Sequence, residues 1–435
     1  MLKFIGILIV GILTSFYYFP IEFTFLPGVN TKMAMAGFGL VLLFFQLARQ
    51  RRPHIDSGVF KLSIIALAVS FFGFASVAYN ETYDYTYATY IVSMWVWLSG
   101  AYVVVTLMRA LHGYMSIELV CNYLIGVCTL QCISALMIDS MPAFKVFIDT
   151  YVSGFGFVDT SQMIEGGRLY GIGAGLDVAG LRFSAVLCAI SCITSRISNT
   201  SQRNFIWIYL VCFIIISLVG NMIARTTTVG VVLAIVYWII VGLKSFGKSE
   251  GNVTYLWSWI FGITIVALVI VIPLYNIDIN FRSNVRFAFE GFFSLAETGE
   301  WNVHSNDILR NMYVFPDNLK TWIIGDGYIE NPQATDPYYT GKITGGYYMG
   351  TDVGYLRFIF YFGLLGLVTF VYYFVSLTKW CMSKFTNQQL LFLFFLLVNL
   401  IGWFKVSTDV FLVFAPFLLI SSEENEEGER LTVRG

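Results

Sequence analysis

The chain has 435 residues, of which 57% are hydrophobic and only 12% are charged, and its formal net charge is −1. A soluble globule of this length needs far more polar surface, so the composition predicts an all-α polytopic membrane protein. The basic residues are scattered along the chain and form no stripe that tracks phosphates, which excludes nucleic-acid binding.

About twelve apolar runs are long enough to cross the roughly 30 Å hydrocarbon core of a bilayer as helices. The first is interpreted as a retained helix and not as a signal peptide, because no small-residue cleavage pattern follows it. The last two form either a tight hairpin or one kinked helix, since Gly402, Trp403 and Lys405 lie near their junction. The runs are Leu2–Phe19, Lys32–Ala48, Val59–Tyr79, Thr89–Met108, Ile117–Ile138, Leu176–Thr194, Phe205–Met222, Thr227–Leu243, Tyr255–Pro273, Gly354–Thr378, Gln389–Trp403 and Val406–Ile420.

The runs divide the chain into four parts. Residues 1–273 carry nine predicted helices, residues 274–351 form one large polar segment, residues 352–421 carry three more helices, and residues 422–435 form an acidic tail. The large segment is rich in aromatic side chains, so we expect it to fold over the membrane domain. A second polar segment, residues 139–175, has aromatic residues at amphipathic spacing and is expected to lie on the membrane surface.

The charges of the short loops predict the orientation. If the first helix starts inside, basic residues such as Arg49, Arg109, Arg196 and Lys379 all fall on one side. The positive-inside rule makes that side cytoplasmic. Both termini are then cytoplasmic, the acidic tail is expected to be solvated, and the large segment between the ninth and tenth helices becomes an extracytoplasmic loop.

Metal and cofactor sites are not expected. Cys121, Cys128 and Cys132 share one helical face, but small side chains packed between helices explain them better than a metal site does. Asp278 and Asn280 only half match a metal-binding aspartate pair, because an amide brings no charge to a hard cation. The glycine-rich run at residues 166–180 follows no strand and ends in no Gly-Lys-Ser, so close helix packing is favoured over nucleotide binding.

Charged residues also occur where hydrocarbon makes them costly. Asp177 and Arg182 lie at the start of the sixth run and Arg225 lies just before the eighth, and such groups are tolerated only beside a wet cavity or a partner. A snorkelling anchor is an alternative for any one arginine. The set lies on the predicted outer side, against the usual distribution, and therefore predicts an outward pocket for an anion; it comprises Arg168, Arg182, Arg225, Arg282, Arg286 and Arg310.

Several motifs together resemble a known family. They occur in the order Arg168-Leu-Tyr-Gly171 with a following Asp177, Ala224-Arg225-Thr226-Thr227, Gly325-Asp326-Gly327, and Thr351-Asp352-Val353-Gly354-Tyr355 leading into Tyr361-Phe362-Gly363-Leu364-Leu365-Gly366. In order, topology and loop placement, the chain from Arg168 to the last run resembles the Wzy-type polysaccharide polymerases of the O-antigen polymerase and ligase superfamily. The first five runs resemble nothing beyond a helical bundle.

The resemblance implies a GT-C-like glycosyltransferase of the bacterial inner membrane. It would join undecaprenyl-pyrophosphate-linked repeat units of O-antigen, capsule or exopolysaccharide by inverting, metal-independent transfer at the extracytoplasmic face. Its partners would be the lipid-linked donor and acceptor, membrane lipids and a chain-length regulator. The arginines, with Asp177, Asp326 and Tyr355, would bind pyrophosphate or substrate, and this fits the fork that arginine offers to phosphate oxygens.

Asp352 is the candidate general base for the acceptor hydroxyl. Ligases of the superfamily commonly carry a histidine at this place, so the aspartate favours a polymerase. Two other roles stay open for Asp352, a helix N-cap and the positioning of an arginine or a sugar.

Three other functions are compatible with a bundle of this kind. An O-antigen ligase-type transferase is one, and a lipid-linked oligosaccharide flippase is another. Transporters usually show two related halves, and the sequence shows no internal repeat. A purely structural membrane subunit is the third, but it would not need buried arginines.

Overall fold

The computed structural model describes residues 2–49, 57–154, 168–197, 205–245, 252–336, 338–341, 344 and 346–434. Residues 155–167 of the predicted surface segment lie outside this described part. Its helices are α1 (Leu2–Tyr18), α2 (Thr31–Arg49), α3 (Ser57–Asn80), α4 (Tyr90–His112), α5 (Ile117–Ser140), α6 (Pro142–Tyr151), α7 (Leu176–Arg196), α8 (Ile206–Ile223), α9 (Thr227–Ser245), α10 (Asn252–Ile277), α11 (Ile279–Ala288), α12 (Glu290–Thr298), α13 (His304–Asn311), α14 (Leu319–Ile323), α15 (Pro332–Thr335), α16 (Gly354–Lys384), α17 (Gln389–Gly402), α18 (Phe411–Leu418) and α19 (Ser422–Arg434). Two short strands, β1 (Glu22–Phe23) and β2 (Val152–Gly154), pair antiparallel.

The described part of the chain contains eight helices that are long and apolar enough to cross a membrane, namely α3, α4, α5, α7, α8, α9, α10 and α16. Three shorter apolar helices, α1, α2 and α17, accompany them. The prediction of an all-α polytopic membrane protein is therefore confirmed. The predicted run Val406–Ile420 contains only the eight-residue helix α18, which is about 12 Å long, so the count of about twelve spans stays a prediction.

Helix α7 lies at the centre of the bundle, and most of its side chains are buried. It packs against α5, α8, α9 and α17. The approach of α9 is so close that a Cβ on Gly230 would overlap the backbone of Ser184. Such approach is typical of membrane helices, which associate through van der Waals packing and cannot rely on hydrophobic burial.

Helix α16 is kinked about a third of the way along its 31 residues. Phe362 and Gly363 have non-helical backbone angles, and Gly363 has a φ of 64° that favours glycine. A kink interrupts the hydrogen-bond ladder of a helix, so carbonyl groups beside it need other partners.

The Gly325-Asp326-Gly327 motif supplies those partners. The N–H of Asp326 donates to the Phe360 carbonyl, and the N–H of Gly327 donates to the Tyr361 carbonyl at 3.1 Å. The Ser76 hydroxyl of α3 donates to the same Tyr361 carbonyl at 2.6 Å. Two of the motifs that carry the family resemblance thus pack on each other and hold the large polar segment against the bundle.

Replacing Gly363 with alanine is expected to destabilise the protein by roughly 2–4 kcal/mol. The reason is that the new Cβ would overlap the Ile323 carbonyl of α14 at a φ that L residues avoid. Thermal unfolding of the detergent-solubilised protein measures the effect. Gly126 of α5 is the control, because a Cβ there meets nothing within 4 Å. Equal melting temperatures for the two alanine variants would contradict this account of the kink.

The acidic tail, expected to be solvated, packs on the bundle with part of its surface. It forms α19, whose Glu424 accepts a forked pair of hydrogen bonds from Arg109 at 2.9 and 3.3 Å. Asn425 is buried and its Oδ1 accepts the N–H of Ile117 at 2.8 Å. The tail therefore caps the end of the bundle that carries α5's first turn, although Glu423 and Glu426 remain exposed.

Candidate functional site

A cavity of about 790 Å³ lies at one end of the bundle. Its walls come from the first turns of α2, α4, α7 and α16, the segments just before α4, α7 and α16, helix α13, and the link between α17 and α18. Nine of its 26 lining residues are charged, whereas 12% of the chain is. They are Lys32, Arg168, Arg182, Arg357, Lys405, Asp177, Glu330, Asp352 and Asp409. Charges gathered around a cavity at the end of apolar helices indicate a wet site and not lipid contact.

Arg357 organises the side of the cavity where α16 begins. Its guanidinium is 6% exposed, and its Nη2 donates to the Ile329 carbonyl at 3.2 Å and to Glu330 Oε1 at 3.3 Å. Its Nη1 lies 3.8 Å from Asp352 Oδ1, and the Tyr347 ring packs against it with the centroid at 3.5 Å. One buried arginine thus hydrogen-bonds one carboxylate at the cavity wall, Glu330, and lies beside a second, Asp352.

Asp352 is partly buried, with 33% of its side chain exposed. Burial raises the pKa of its carboxyl above the ordinary value, and the Arg357 charge opposes that rise. It is not a helix cap, because the cap of α16 is Val353, whose N–H takes the Thr351 hydroxyl as acceptor at 3.3 Å. This removes the N-cap alternative and leaves the carboxylate available to a ligand.

Asp177 and Lys405 form an ion pair across the cavity. Lys405 Nζ lies 2.9 Å from Asp177 Oδ1. Asp177 lies in the first turn of α7, where the helix dipole favours a negative charge. Arg168 lines the cavity just before the same helix, with its guanidinium carbon 5.4 Å from the Phe287 ring centroid. Arg168, Asp177 and Asp352, all predicted from the sequence, therefore meet in one site, and Arg182 lines the same cavity.

Arg225 lies behind the wall and is already paired. Its Nη1 lies 2.6 Å from Glu290 Oε2 and also donates to the Ser305 hydroxyl at 3.0 Å. Its Nε donates to the Phe287 carbonyl at 3.0 Å. Burial lowers the pKa of Arg225, and the Glu290 carboxylate opposes that change. Because Ser305 lines the cavity, Arg225 shapes the wall from α13 and does not face the interior.

Three other predicted arginines do not line the cavity. Arg282 donates to the Tyr275 and Asn276 carbonyls at 2.9 and 3.0 Å and so closes the end of α10. Arg286 makes a forked pair with Glu297, both bonds being 2.8 Å long. Arg310 is 80% exposed and lies 3.5 Å from Asp307. These side chains stabilise the polar segment or face outward.

Asp326 and Tyr355 also make structural contacts instead of lining the cavity. Asp326 Oδ1 accepts hydrogen bonds at 2.7 Å from both Lys320 and Thr321, and Oδ2 accepts one from Tyr348 at 3.2 Å. The Tyr355 hydroxyl donates to the Leu400 carbonyl at 2.8 Å, which ties α16 to α17. Both residues support the fold beside the site.

Sequence reasoning missed five charged residues that line the cavity, and they are Lys32, Glu330, Arg357, Lys405 and Asp409. Lys32 and Asp409 lie inside predicted membrane runs. The signal that selected Asp177 and Arg182, a charge in an expensive place, would have found them as well.

The cavity offers cations for an anionic ligand and four carboxylates, Asp352 among them, as possible proton acceptors. Its wall also carries the hydroxyls of Ser93, Ser407 and Thr408, groups that hydrogen-bond to sugars. Within the described residues, no group of three or more His, Cys, Asp or Glu side chains is placed to hold a metal ion. No protein-family model, curated protein or solved structure matches the chain.

Proposed function

We propose that the protein is a GT-C-like glycosyltransferase of the bacterial inner membrane that polymerises undecaprenyl-pyrophosphate-linked repeat units into a surface polysaccharide. The observation that carries this proposal is the position of the Asp352 carboxylate in a cation-rich cavity at the end of a membrane bundle. Arg357 lies beside it, and Arg168 and Lys405 line the same cavity. The proposal puts this end of the bundle at the membrane surface, where a lipid-anchored diphosphate leaves the hydrocarbon.

In the proposed reaction, the cations Arg168, Arg357 and Lys405 bind the donor diphosphate. The acceptor hydroxyl attacks the anomeric carbon of the donor sugar on the face opposite the diphosphate. The new C–O bond forms as the bond to the diphosphate oxygen breaks, and the hydroxyl proton passes to Asp352. Undecaprenyl diphosphate leaves with its charge neutralised by the cations, so the leaving group needs no proton. The product carries the inverted anomeric configuration.

Deletion of the gene, followed by a gel of lipid-linked and surface glycan, tests this function. A single repeat unit on the lipid carrier is the expected result, because export continues while polymerisation stops. A ligase would leave polymer that is not attached to its final acceptor. A flippase would leave no glycan at the cell surface. Either of these two patterns would replace the proposal with the corresponding alternative.

The proposal requires the cavity and the polar segment to face away from the cytoplasm, in a chain of about twelve spans. We expect cysteine in place of exposed Asn302 to react with an impermeant maleimide in intact spheroplasts. Cysteine in place of exposed Lys379, near the other end of α16, should react only after permeabilisation. Half-buried Cys212 is replaced beforehand, since the other six native thiols are buried. The reverse labelling pattern would exclude an extracytoplasmic site.

A comparison of Arg168, which lines the cavity, with Arg310, which does not, tests whether the cavity binds the donor. Replacing Arg168 with lysine keeps the charge but loses the fork that phosphate oxygens accept, so we expect transfer to fall by about tenfold or more. The same change at Arg310, which is 80% exposed, should leave transfer within about twofold of the parent, as surface ion pairs contribute little. Initial rates with a purified lipid-linked repeat measure both variants. Equal losses at the two positions would show that the cavity does not define the donor site.

A further inference from the structure

The cavity has an inner end that the proposed reaction does not use. Arg182 follows Asp177 by five residues along α7, which puts its Cα about 7.5 Å farther into the bundle. Lys32 of α2 reaches the same region, where its Nζ lies 4.2 Å from the Trp97 ring centroid. We propose that Lys32 and Arg182, here called the inner pair, bind an anionic substituent of the glycan, a carboxylate or a phosphate. This inference rests on the proposed function, because it requires a glycan to enter the cavity.

Of the two residues, Arg182 gives the stronger evidence for an anion site. It is 4% exposed, and its Nη1 donates to the Tyr18 carbonyl. In the described part of the chain its Nε has no hydrogen-bond partner and its guanidinium has no ion pair. A buried cation with open donors is costly unless an anion approaches it, and the cavity is the space from which one can come.

Lys32 adds a second positive charge at the same place. Its ammonium group rests on the face of Trp97, a contact that stabilises a cation without neutralising it. Among the described residues it forms no ion pair with a carboxylate. Lys32 therefore adds to the unbalanced positive charge that favours binding of an anion beside Arg182.

The charge balance of the inner end differs from that of the Asp352 side. Asp409 is the carboxylate that lines the cavity with the inner pair, and its Oδ1 already accepts the Phe411 N–H at 2.8 Å. Two cations thus share one carboxylate, which leaves one positive charge unbalanced. On the Asp352 side, by contrast, Arg357 and Lys405 each have a carboxylate partner, at 3.3 and 2.9 Å.

The proposed reaction assigns the diphosphate to the Asp352 side of the cavity, so the glycan is the source of the anion at the inner pair. The diphosphate must lie within reach of Asp352, because the sugar that reacts is attached to it. In this proposal a group on a neighbouring sugar reaches the inner pair, and the hydroxyls of Ser93, Ser407 and Thr408 line the same cavity. The inner pair would then select acidic repeat units over neutral ones.

Binding to the purified protein in nanodiscs tests the inference with three probes. Tetragalacturonate supplies carboxylates, its carboxyl-reduced form supplies the same sugar ring without them, and farnesyl diphosphate supplies the diphosphate alone. The parent protein should bind tetragalacturonate at least about tenfold more tightly than the reduced form. Lys32→Gln and Arg182→Gln should each abolish that preference and leave farnesyl diphosphate affinity within about twofold of the parent. Lys145→Gln, on α6 outside the cavity, should change neither affinity.

Two outcomes would overturn the inference. Equal affinity of the parent for tetragalacturonate and its reduced form would show that no subsite for an anionic sugar exists. A loss of farnesyl diphosphate affinity in both inner-pair variants would assign these cations to the diphosphate instead. If Arg182→Gln does not fold, the two affinities of the Lys32→Gln variant alone test the inference. Failure of the proposed function is distinguishable, because the parent would then bind no farnesyl diphosphate whatever its preference between the two oligosaccharides.

Discussion

Replacing Asp352 with asparagine is expected to slow glycosyl transfer by about two to four orders of magnitude, the usual effect of losing a general base. Asparagine keeps the size of the side chain but removes its negative charge, which pairs with Arg357, together with its capacity to accept a proton. Affinity for farnesyl diphosphate should stay close to that of the parent, because the cations remain. Single-turnover transfer by purified protein measures the rate. Asp307→Asn is the matched control, since Asp307 is half exposed on α13 and does not line the cavity.

The pH dependence of the parent gives an independent readout. Because burial raises the pKa of Asp352, the rate should fall as the pH drops through that raised value, at a higher pH than an ordinary aspartate would require. The asparagine variant should lose this acidic limb. A variant that polymerises near the parental rate, or that keeps the parental pH profile, would rule out the base and leave Asp352 as a positioning residue.

Removing Arg357 should give the second largest effect. Arg357→Gln leaves the carboxylates of Asp352 and Glu330 without their shared cation and frees the Ile329 carbonyl. We expect transfer to fall by about a hundredfold, since the charge-assisted bond to Glu330 is worth roughly 1.5–3 kcal/mol and the diphosphate also loses a ligand. The two carboxylates are partly exposed, so solvent screens some of this loss.

The direction of the pH shift separates this role from a loss of stability. The Arg357 charge lowers the pKa of Asp352, so its removal should raise that pKa further and move the acidic limb to higher pH. Arg357→Lys keeps the charge and should move the limb less, although it loses the fork. Arg310→Gln serves as the control for loss of an arginine. An Arg357→Gln enzyme whose acidic limb coincides with that of the parent would show that the two residues do not interact in the working protein.

The sequence predicted the membrane helices well because apolar runs of sufficient length have few alternatives. The helices near the end of the chain were harder to predict from the sequence. Helix α18 is shorter than the run that predicted it, because Trp403–Val410 form a non-helical link that brings Lys405 and Asp409 to the cavity. Non-helical backbone at that depth is tolerated because it lines a cavity.

For the arginines, the sequence could not predict which partner each side chain has in the fold. Cost in hydrocarbon identifies a charged residue that needs a partner, but it does not say which partner the fold supplies. Arg225 finds Glu290 and Arg286 finds Glu297, both within the polar segment that follows α10. Arg182 finds only the backbone of Tyr18 among its described hydrogen-bond acceptors. The sequence grouped these arginines together, and only the three-dimensional pairing separates those that are satisfied from those that remain open to a ligand.

Reconstitution tests the central claim most directly. The purified protein is inserted into liposomes with lipid-linked repeat units extracted from membranes of cells that lack the gene, and the products are separated on a gel. We predict a ladder of glycan on the lipid carrier that grows with time, is made without added nucleotide sugar, and is lost in the Asp352→Asn protein. Movement of the lipid-linked unit between leaflets with no ladder would contradict the account and identify a flippase.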